Sequence, residues 1–210
     1  MPDTAAARSA RPQIALTFDD GPSEVTNRVL DVLEEAGAKA TFFVLGKQVK
    51  DHVPELRRMA AGGFQIGNHT WGHEYISRIS EEELRSTLTR TNDAIREACG
   101  VTPTVMRPPG GFFSYEALDV LADMGFPVLF WGTDPRDWET KDAASTIDYV
   151  FHNVVARDVV IMHDVYESTA DAVEVIVPEL LSIGVELVTI DELAKGCGGL
   201  CPGRMYRRFR

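Results

Sequence analysis

The sequence is poor in cysteine, in long apolar runs and in positive charge. Only three of its 210 residues are cysteine, too few for a framework of disulfides. No uncharged apolar stretch approaches the roughly 18 residues that cross a bilayer, and residues 1–13 lack the apolar run of a signal peptide. Lys and Arg number 21 against 32 Asp and Glu, which gives a net charge of −11. These deficits argue against a disulfide-stapled protein, a membrane-embedded protein and a protein that binds a phosphate backbone.

Two of the cysteines lie together near the C-terminal end. Cys197 and Cys201 flank glycines, and the spacing fits either two free thiols or one surface disulfide. A zinc pair is less favoured, because its usual companion pair of Cys or His is missing nearby. A disulfide would point to an oxidising compartment. Residues 204–210 contain four arginines, and we expect this end to be solvated.

Short apolar runs alternate with helical stretches along the rest of the chain. Ile14–Phe18 is a predicted strand that ends at a turn signal, and Thr26 is predicted to cap the helix that follows. Ser80 and Glu83 form a capping box that predicts the start of another helix. The further predicted strands are Thr41–Leu45, Gln65–Asn68, Thr104–Met106, Val128–Trp131, Val159–Met162 and Glu186–Thr189. This alternation implies parallel strands joined by crossover helices.

The predicted fold class is therefore α/β. About seven strands are fewer than the eight of a complete (β/α) barrel, so we predict a distorted barrel of about seven parallel strands. An open doubly wound sheet is the alternative, and both folds place a ligand site at the C-terminal ends of the strands. We expect one folded domain over residues 13–195, between a disordered N-terminus (1–12) and a Gly/Cys-rich, basic C-terminal tail (196–210).

Two of the predicted strands are followed directly by residues that can bind a metal. Asp19 and Asp20 follow the first strand, and His69 and His73 follow the third. Four residues of separation places two imidazoles on one side of a helix or compact turn. Two histidines with a carboxylate, Asp20 or Asp19, are the ligand set of a catalytic zinc site with open positions. The alternative is a turn carboxylate pair beside solvated or core histidines.

Three more strand ends carry polar residues. Arg107–Gly111 combines an arginine, two stiffening prolines and two glycines that let a backbone approach a ligand closely. Asp134–Trp138 follows the next strand, and His163 stands where the last apolar run stops. Each feature alone is more often structural. Together they occupy the same ends of five strands, which random placement would not produce.

These segments, taken in order, resemble the five motifs of the polysaccharide deacetylases, carbohydrate esterase family four. The resemblance covers about Gln13 to Lys195. The segments that carry it are Thr17–Pro22, His69–His73, Arg107–Gly110, Asp134–Trp138 and Ile161–His163. It implies the distorted barrel and a divalent metal ion, zinc or another ion such as Co²⁺.

The resemblance also implies the chemical roles. It places the metal on Asp20, His69 and His73, makes Asp19 the general base and makes His163 the general acid. These roles agree with the chemistry of amide cleavage, because an amine leaves poorly as an anion and needs a proton donor.

Supporting roles are implied for the remaining motif residues. Arg107 would hold the base, Asp134 would orient the acid, the Gly110 N–H would join the oxyanion hole, and Trp138 and Ile161 would shape a slot for the acetyl methyl group.

The sequence departs from the family pattern at one place that concerns substrate contacts. An aromatic residue usually follows the prolines of the third motif, and Gly110 stands there instead. We expect Phe112 or Phe113 to replace that aromatic residue as one wall of the substrate-binding groove. Ile161 stands where leucine is usual, a nearly isosteric change.

The implied function is a metal-dependent hydrolase that removes N-acetyl groups from polysaccharides containing N-acetylglucosamine and releases acetate. Peptidoglycan is the first expected polymer and chitin-type oligomers the second. The alternatives are an acetylxylan O-acetyl esterase and a non-catalytic glycan-binding protein, and the intact catalytic positions argue against the latter. We expect a monomer whose partner is the acetylated glycan. The expected location is extracellular or cell-wall associated, with the export signal absent from this chain; a cytoplasmic location stays open.

Overall fold

The computed structural model describes residues 11–209. The predicted disordered N-terminus, residues 1–12, lies almost entirely outside the described residues. Within them, the strands are β1 (Gln13–Asp19), β2 (Thr41–Val44), β3 (Gln65–Asn68), β4 (Val128–Leu129), β5 (Val159–His163), β6 (Glu186–Leu187) and β7 (Met205–Tyr206). The helices are α1 (Thr26–Glu35), α2 (Val53–Ala61), α3 (Glu81–Cys99), α4 (Tyr115–Asp123), α5 (Asp137–Thr140), α6 (Ala143–Asn153), α7 (Glu167–Ser182) and α8 (Ile190–Lys195).

Parallel strands form the centre of the molecule. The main sheet has the order β3-β2-β1-β5, and β6 pairs with the beginning of β1. Six of the seven residues of β1 are buried, as expected for a central strand covered on both faces. Isolated parallel bridges extend the sheet beyond β3: Asn68 pairs with Met106, and Met106 pairs with Val128 of β4. On the other side, Thr133 pairs with Val160 of β5. The predicted α/β fold with parallel strands is confirmed, although regular strand pairing does not close a barrel within residues 11–209.

Local sequence signals explain where the long helix α3 begins and ends. The Ser80 hydroxyl accepts from the Glu83 N–H, and the Glu83 carboxylate accepts from the Ser80 N–H. Gly100 then adopts a left-handed conformation with φ of 79°, which glycine takes at little cost and which stops the helix. The capping box predicted from the sequence is confirmed. The predicted strand Thr104–Met106 is wrong, because only Met106 pairs, through isolated bridges.

The strand register brings the predicted functional residues to one edge. Asp19 at the end of β1 lies opposite His163 at the end of β5. On the other side of β1, Asp19 pairs with Phe43 of β2, and Asn68 of β3 precedes His69. The carboxyl ends of β1, β3 and β5 therefore meet, as parallel strands require.

The C-terminal tail folds against the domain, so the prediction of a solvated end holds for the exposed side chains of Arg204, Arg207 and Arg208 but not for the backbone. Strand β7 pairs in parallel with β4, and Phe209 is buried against the core. The Arg208 Nε donates to the fully buried Asp158 at 3.0 Å. Within the tail the thiols stay unpaired, since Cys197 and Cys201, like Cys99, are free. They therefore give no support to an oxidising compartment.

We expect Arg208→Ala to destabilise the fold, because it leaves the buried Asp158 carboxylate without its cation. Arg208 is about half-exposed, so the expected loss is about 1.5 kcal/mol, the lower end for a hydrogen bond to a charged group. Urea unfolding measures it. Arg204→Ala is the matched control, since its guanidinium contacts the Tyr206 ring and surface changes usually cost no more than about 0.5 kcal/mol. Equal unfolding midpoints for the two variants would contradict the anchoring role.

Candidate active site

Three side chains after β1 and β3 converge on one point. The Nε2 atoms of His69 and His73 each lie 3.5 Å from Oδ1 of Asp20. The ligand atoms of the three residues all lie within 4.8 Å of one another. Oδ1 of Asp20 is buried and has no hydrogen-bond partner within residues 11–209. A buried carboxylate oxygen facing two imidazole nitrogens fits a divalent cation, which would satisfy all three atoms at once.

The ring of His69 is oriented by the backbone. Its Nδ1 lies 2.8 Å from the carbonyl oxygen of Arg107. A carbonyl only accepts, so Nδ1 carries the proton and Nε2 presents its lone pair toward Asp20. Burial lowers the pKa of His69 to about 3. The imidazole is therefore neutral at pH 7, the state that a metal ligand needs.

Asp19 is held by a fully buried arginine. The Arg107 guanidinium donates to Oδ1 of Asp19 at 2.7 Å and to the Thr17 hydroxyl at 2.7 Å. It also donates to the Phe130 carbonyl at 3.1 Å and lies over the Phe43 ring at 4.1 Å. These contacts fix the arginine, and the arginine fixes one oxygen of Asp19. The other oxygen faces the metal-ligand set, with Oδ2 3.8 Å from the Nε2 of His69.

The burial of Asp19 also tunes its basicity. Burial raises the pKa of the Asp19 carboxyl above its ordinary value, while the charge and hydrogen bond of Arg107 and the charge of His163 oppose that rise. A carboxylate with a raised pKa is a better proton acceptor than an exposed one. The residue therefore has the environment of a general base.

The partner of His163 is Asp137. The Nδ1 of His163 lies 2.8 Å from Oδ1 of Asp137, and the His163 backbone N–H donates to Oδ2 at 2.8 Å. The Thr169 hydroxyl donates to the same Oδ2 at 2.7 Å. Burial by itself lowers the pKa of His163, but the hydrogen bond and charge of Asp137, aided by the charges of Asp19 and Asp20, raise it to about 9. His163 is therefore protonated at pH 7 and can donate a proton from Nε2.

The prediction that Asp134 orients His163 is wrong. Asp134 lines the cleft, but its Oδ1 accepts from the Arg136 N–H at 2.9 Å, closing a local turn. Asp137, at the start of α5, is 1% exposed and points at β5. The two carboxylates are three residues apart, and the left-handed Arg136 between them turns the second, not the first, toward the histidine.

A cleft of about 430 Å³ contains these groups. Its lining includes every residue that the sequence indicates except the buried Arg107: Asp19, Asp20, His69, His73, Gly110, Phe112, Asp134, Trp138, Ile161 and His163. Three further aromatic residues, which the sequence motifs do not indicate, complete the lining: Tyr75, Trp131 and Tyr166. Trp131 is the last residue of the predicted strand Val128–Trp131. No spacing signal marks Tyr75 and Tyr166, because their position depends on how the loops fold over the strand ends.

An aromatic wall stands on one side of the cleft. Phe112 is 50% exposed and packs edge-on against Tyr75 at 5.2 Å between ring centroids. Phe113 packs instead against Phe130 at 5.6 Å, so of the two candidates Phe112 lines the cleft. Gly110 has a φ of 62°, and a Cβ there would lie 2.9 Å from the Phe112 ring. Its N–H donates to no acceptor within residues 11–209.

The opposite side is formed by the elements after β4 and β5. Trp138 is 44% exposed, whereas Ile161 is buried on β5. Tyr166 lies beside His163, with ring centroids 6.2 Å apart. Trp138, Ile161 and Tyr166 thus form an apolar surface beside the polar groups of the cleft. Such a combination is typical of a site that binds a short acyl group.

One cleft thus combines three side chains that could hold a metal ion, an arginine-held carboxylate and an aspartate-held histidine, a combination typical of metal-assisted hydrolytic centres. The chain belongs to the polysaccharide deacetylase family, because residues 6–129 match the family model described as polysaccharide deacetylase. Deacetylases of this family are metal-dependent.

Relatives and solved structures agree with this assignment. The chain is 37% identical over 194 residues to peptidoglycan-N-acetylglucosamine deacetylase PgdA of Listeria monocytogenes, covering 92% of this chain and 41% of the relative. The T48 deacetylase, solved with substrate, has a TM-score of 0.89 and 38% identity over 93% of this chain and 96% of that chain. A family 4 acetyl xylan esterase from Clostridium thermocellum, in complex with a cobalt ion, has a TM-score of 0.87 and 33% identity over 93% and 98%. The chain spans about two fifths of the length of the first curated relatives that it matches.

Proposed function

We propose that this chain is a metal-dependent N-deacetylase of polysaccharides that contain N-acetylglucosamine. The observation that carries the proposal is the joint placement of Asp20, His69 and His73 beside a buried base and a protonated histidine. Peptidoglycan is the proposed first substrate, and chitin-type oligomers are the second. The relatives' names support this order, because PgdA of Listeria monocytogenes is a peptidoglycan deacetylase.

A divalent ion on Asp20, His69 and His73 would act as a Lewis acid toward water and the acetyl carbonyl. We propose zinc, with Co²⁺ as the alternative. The side chains of Asp20 and His73 sit on residues with positive φ, 74° and 72°. Non-glycine residues held there are characteristic of functional sites, where the surrounding structure imposes the conformation.

The chain's own residues handle the protons and the charge. Asp19 accepts the proton of the attacking water, and Arg107 keeps the carboxylate in place. The free N–H of Gly110 donates to the developing oxyanion, an interaction often worth about 3–4 kcal/mol in such sites. Phe112 and Trp138 border the cleft where a sugar ring would pack, and Ile161 contacts the acetyl methyl.

His163 completes the reaction at the nitrogen. Departure of the glucosamine amine needs a proton, because an amide anion is a very poor leaving group. The imidazolium of His163 supplies that proton, and Asp137 holds its ring by Nδ1. The products are acetate and a free amine on the glycan.

Acetate release from N-acetylated and O-acetylated substrates tests this function. Peptidoglycan glycan strands, chitooligosaccharides and acetylxylan are assayed side by side with the metal-loaded chain. We expect acetate from the first two. Ester cleavage without amide cleavage would replace the proposal by the acetylxylan esterase alternative, which the acetyl xylan esterase neighbour favours. Glycan binding without any acetate would support the non-catalytic alternative.

Removal of one imidazole is expected to remove the metal. His69→Ala deletes a buried ligand, so a protein purified without added metal should carry no stoichiometric ion where the wild type carries one. Elemental analysis measures this. His152→Ala is the matched control, because His152 lies on the exposed face of α6. Retention of a full equivalent in His69→Ala, or two ions in the wild type, would contradict the site.

The proposed location is extracellular or cell-wall associated, since the proposed polymers lie outside the cytoplasm. No helix within residues 11–209 is both long and apolar enough to span a bilayer. The monomeric state stays a prediction, which light scattering coupled to size-exclusion chromatography checks.

A further inference from the structure

One buried carboxylate beside the active site has no role in the chemistry described above. Asp164 follows His163 and is fully buried. One oxygen, Oδ2, accepts from the Thr26 hydroxyl at 2.5 Å, while Oδ1 is buried without a hydrogen-bond partner within residues 11–209. Burying a carboxylate with half of its acceptors unused costs stability. A residue needed only for folding could be apolar here, so the carboxylate requires another explanation.

The side chains that donate hydrogen bonds to Asp164 belong to the segment that follows Asp20. The Ser23 hydroxyl donates to the Asp164 carbonyl at 2.6 Å. The hydroxyl of Thr26 bridges to the Asp164 carboxylate and accepts from the Ser23 N–H at 2.8 Å. The prediction that Thr26 caps α1 is wrong. Val25 is the N-cap residue and its side chain makes no cap bond, while Thr26 is the first helical residue and its hydroxyl oxygen accepts from the preceding Ser23 N–H.

The Asp164 carboxylate also packs tightly against Gly21. A Cβ built on Gly21 would lie only 2.6 Å from the Cγ of Asp164 and would overlap its carboxylate oxygens. Gly21 follows Asp20 directly, and its carbonyl accepts from the Leu45 N–H at 3.0 Å. The turn after Asp20 is therefore enclosed between the end of β2 and the Asp164 carboxylate.

Asp20 needs such support. Its φ of 74° lies in the left-handed region, an unfavourable conformation that a non-glycine residue keeps only where the surrounding structure imposes it. Its Oδ1 must also stay aimed at two imidazoles rather than turn to solvent. Both the backbone conformation of Asp20 and the direction of its carboxylate depend on the Asp20–Thr26 segment, which Asp164 contacts.

We propose that Asp164 is a positioning residue that sets the conformation of the Asp20–Thr26 segment and thereby the affinity of the site for its divalent ion. The inference rests on the proposed metal site but not on the proposed substrate. Asp164 touches no reacting atom, and its effect passes through Gly21 and Thr26 to the ligand Asp20.

Zinc affinity of the metal-free protein, measured by competition with a chromogenic chelator, tests the proposal. Asp164→Ala removes the carboxylate and should weaken zinc binding at least about tenfold, as loss of a partner that orients a metal ligand typically does. Asp164→Asn keeps the shape and the acceptor for Thr26 and should stay within about threefold of wild type. Equal losses in the two variants would assign the effect to charge and overturn the positional role.

A matched control residue lies at the other end of β5. Asp158 lies beside the start of β5 and is also fully buried, but it pairs with Thr133 and Arg208, away from the cleft. Asp158→Asn should lower the urea midpoint and leave zinc affinity unchanged. Loss of zinc affinity in this variant would show that a defect at either buried aspartate flanking β5 weakens the site, and would overturn the proposal.

A second variant covers the case in which Asp164→Ala does not fold. Thr26→Val keeps the volume and removes the hydroxyl that holds the carboxylate, so zinc affinity should fall in the same direction. Wild-type affinity in that variant overturns the proposal. Zinc bound normally by a wild-type protein that releases no acetate would contradict the proposed function alone and leave this inference standing.

Discussion

Asp19→Asn is expected to lower turnover by at least about a hundredfold while the protein keeps its metal. The amide cannot accept the proton that the carboxylate accepts, and loss of a general base lowers kcat by about 10²- to 10⁴-fold. Asp20, His69 and His73 are untouched, so the metal content should match the wild type. Steady-state kinetics on a chitooligosaccharide, with elemental analysis of the same preparation, gives both quantities.

The substitution has a structural cost that the experiment must separate from catalysis. Arg107 is fully buried and donates to Asp19 at 2.7 Å, so the variant leaves a buried guanidinium without its counter-charge. Breaking a buried pair in this way commonly costs about 3–5 kcal/mol. Urea unfolding of the variant shows whether it is folded at the assay temperature. A folded, metal-loaded Asp19→Asn protein with kcat within tenfold of wild type would remove Asp19 from the role of base.

The residues at the carboxyl ends of the parallel strands can be predicted from the sequence, because parallel strands place those ends at one edge of the sheet. The strands β1, β3 and β5 each end at or directly before a chemically active residue, and the carboxyl ends of parallel strands lie at one edge. This rule alone predicts that Asp19, His69 and His163 lie together. The capping box at Ser80 is equally readable, since both of its hydrogen bonds are local.

Choices between neighbouring residues cannot be predicted in the same way. Asp134 and Asp137 stand in one motif and differ only in which way the backbone turns at Arg136, whose positive φ of 54° no sequence pattern indicates. The prediction for the tail misses its packing against the domain for a related reason. Its arginines suggest solvent, but strand β7 and Phe209 have long-range partners, and pairing across more than 70 residues leaves no local signal.

Asp137→Asn is expected to move the alkaline limb of the pH profile of kcat/KM to lower pH. His163 is active when protonated, and its pKa is raised to about 9 because Asp137 outweighs the effect of burial. Activity in the wild type should therefore fall as pH rises through about 9. Without the Asp137 charge, burial still disfavours the imidazolium, so the limb should move down by at least about one pH unit. The acid limb belongs to Asp19 and the neighbouring metal site. The Asp137 charge is the smallest of the influences on the pKa of Asp19 and raises it, so this limb should move less than the alkaline one, and to lower pH.

Asp134→Asn is the control that separates the two carboxylates of the motif. Asp134 lines the same cleft but makes its hydrogen bond to the Arg136 N–H, so its substitution should leave the alkaline limb where it is. A shift in Asp134→Asn and none in Asp137→Asn would reverse the assignment. A fall in activity at every pH in Asp137→Asn, with neither limb moved, would mean that Asp137 only fixes the ring of His163. The position of the alkaline limb distinguishes the two roles of Asp137. Orienting the His163 ring affects the rate at all pH values, whereas the charge of Asp137 changes the pH at which His163 loses its proton.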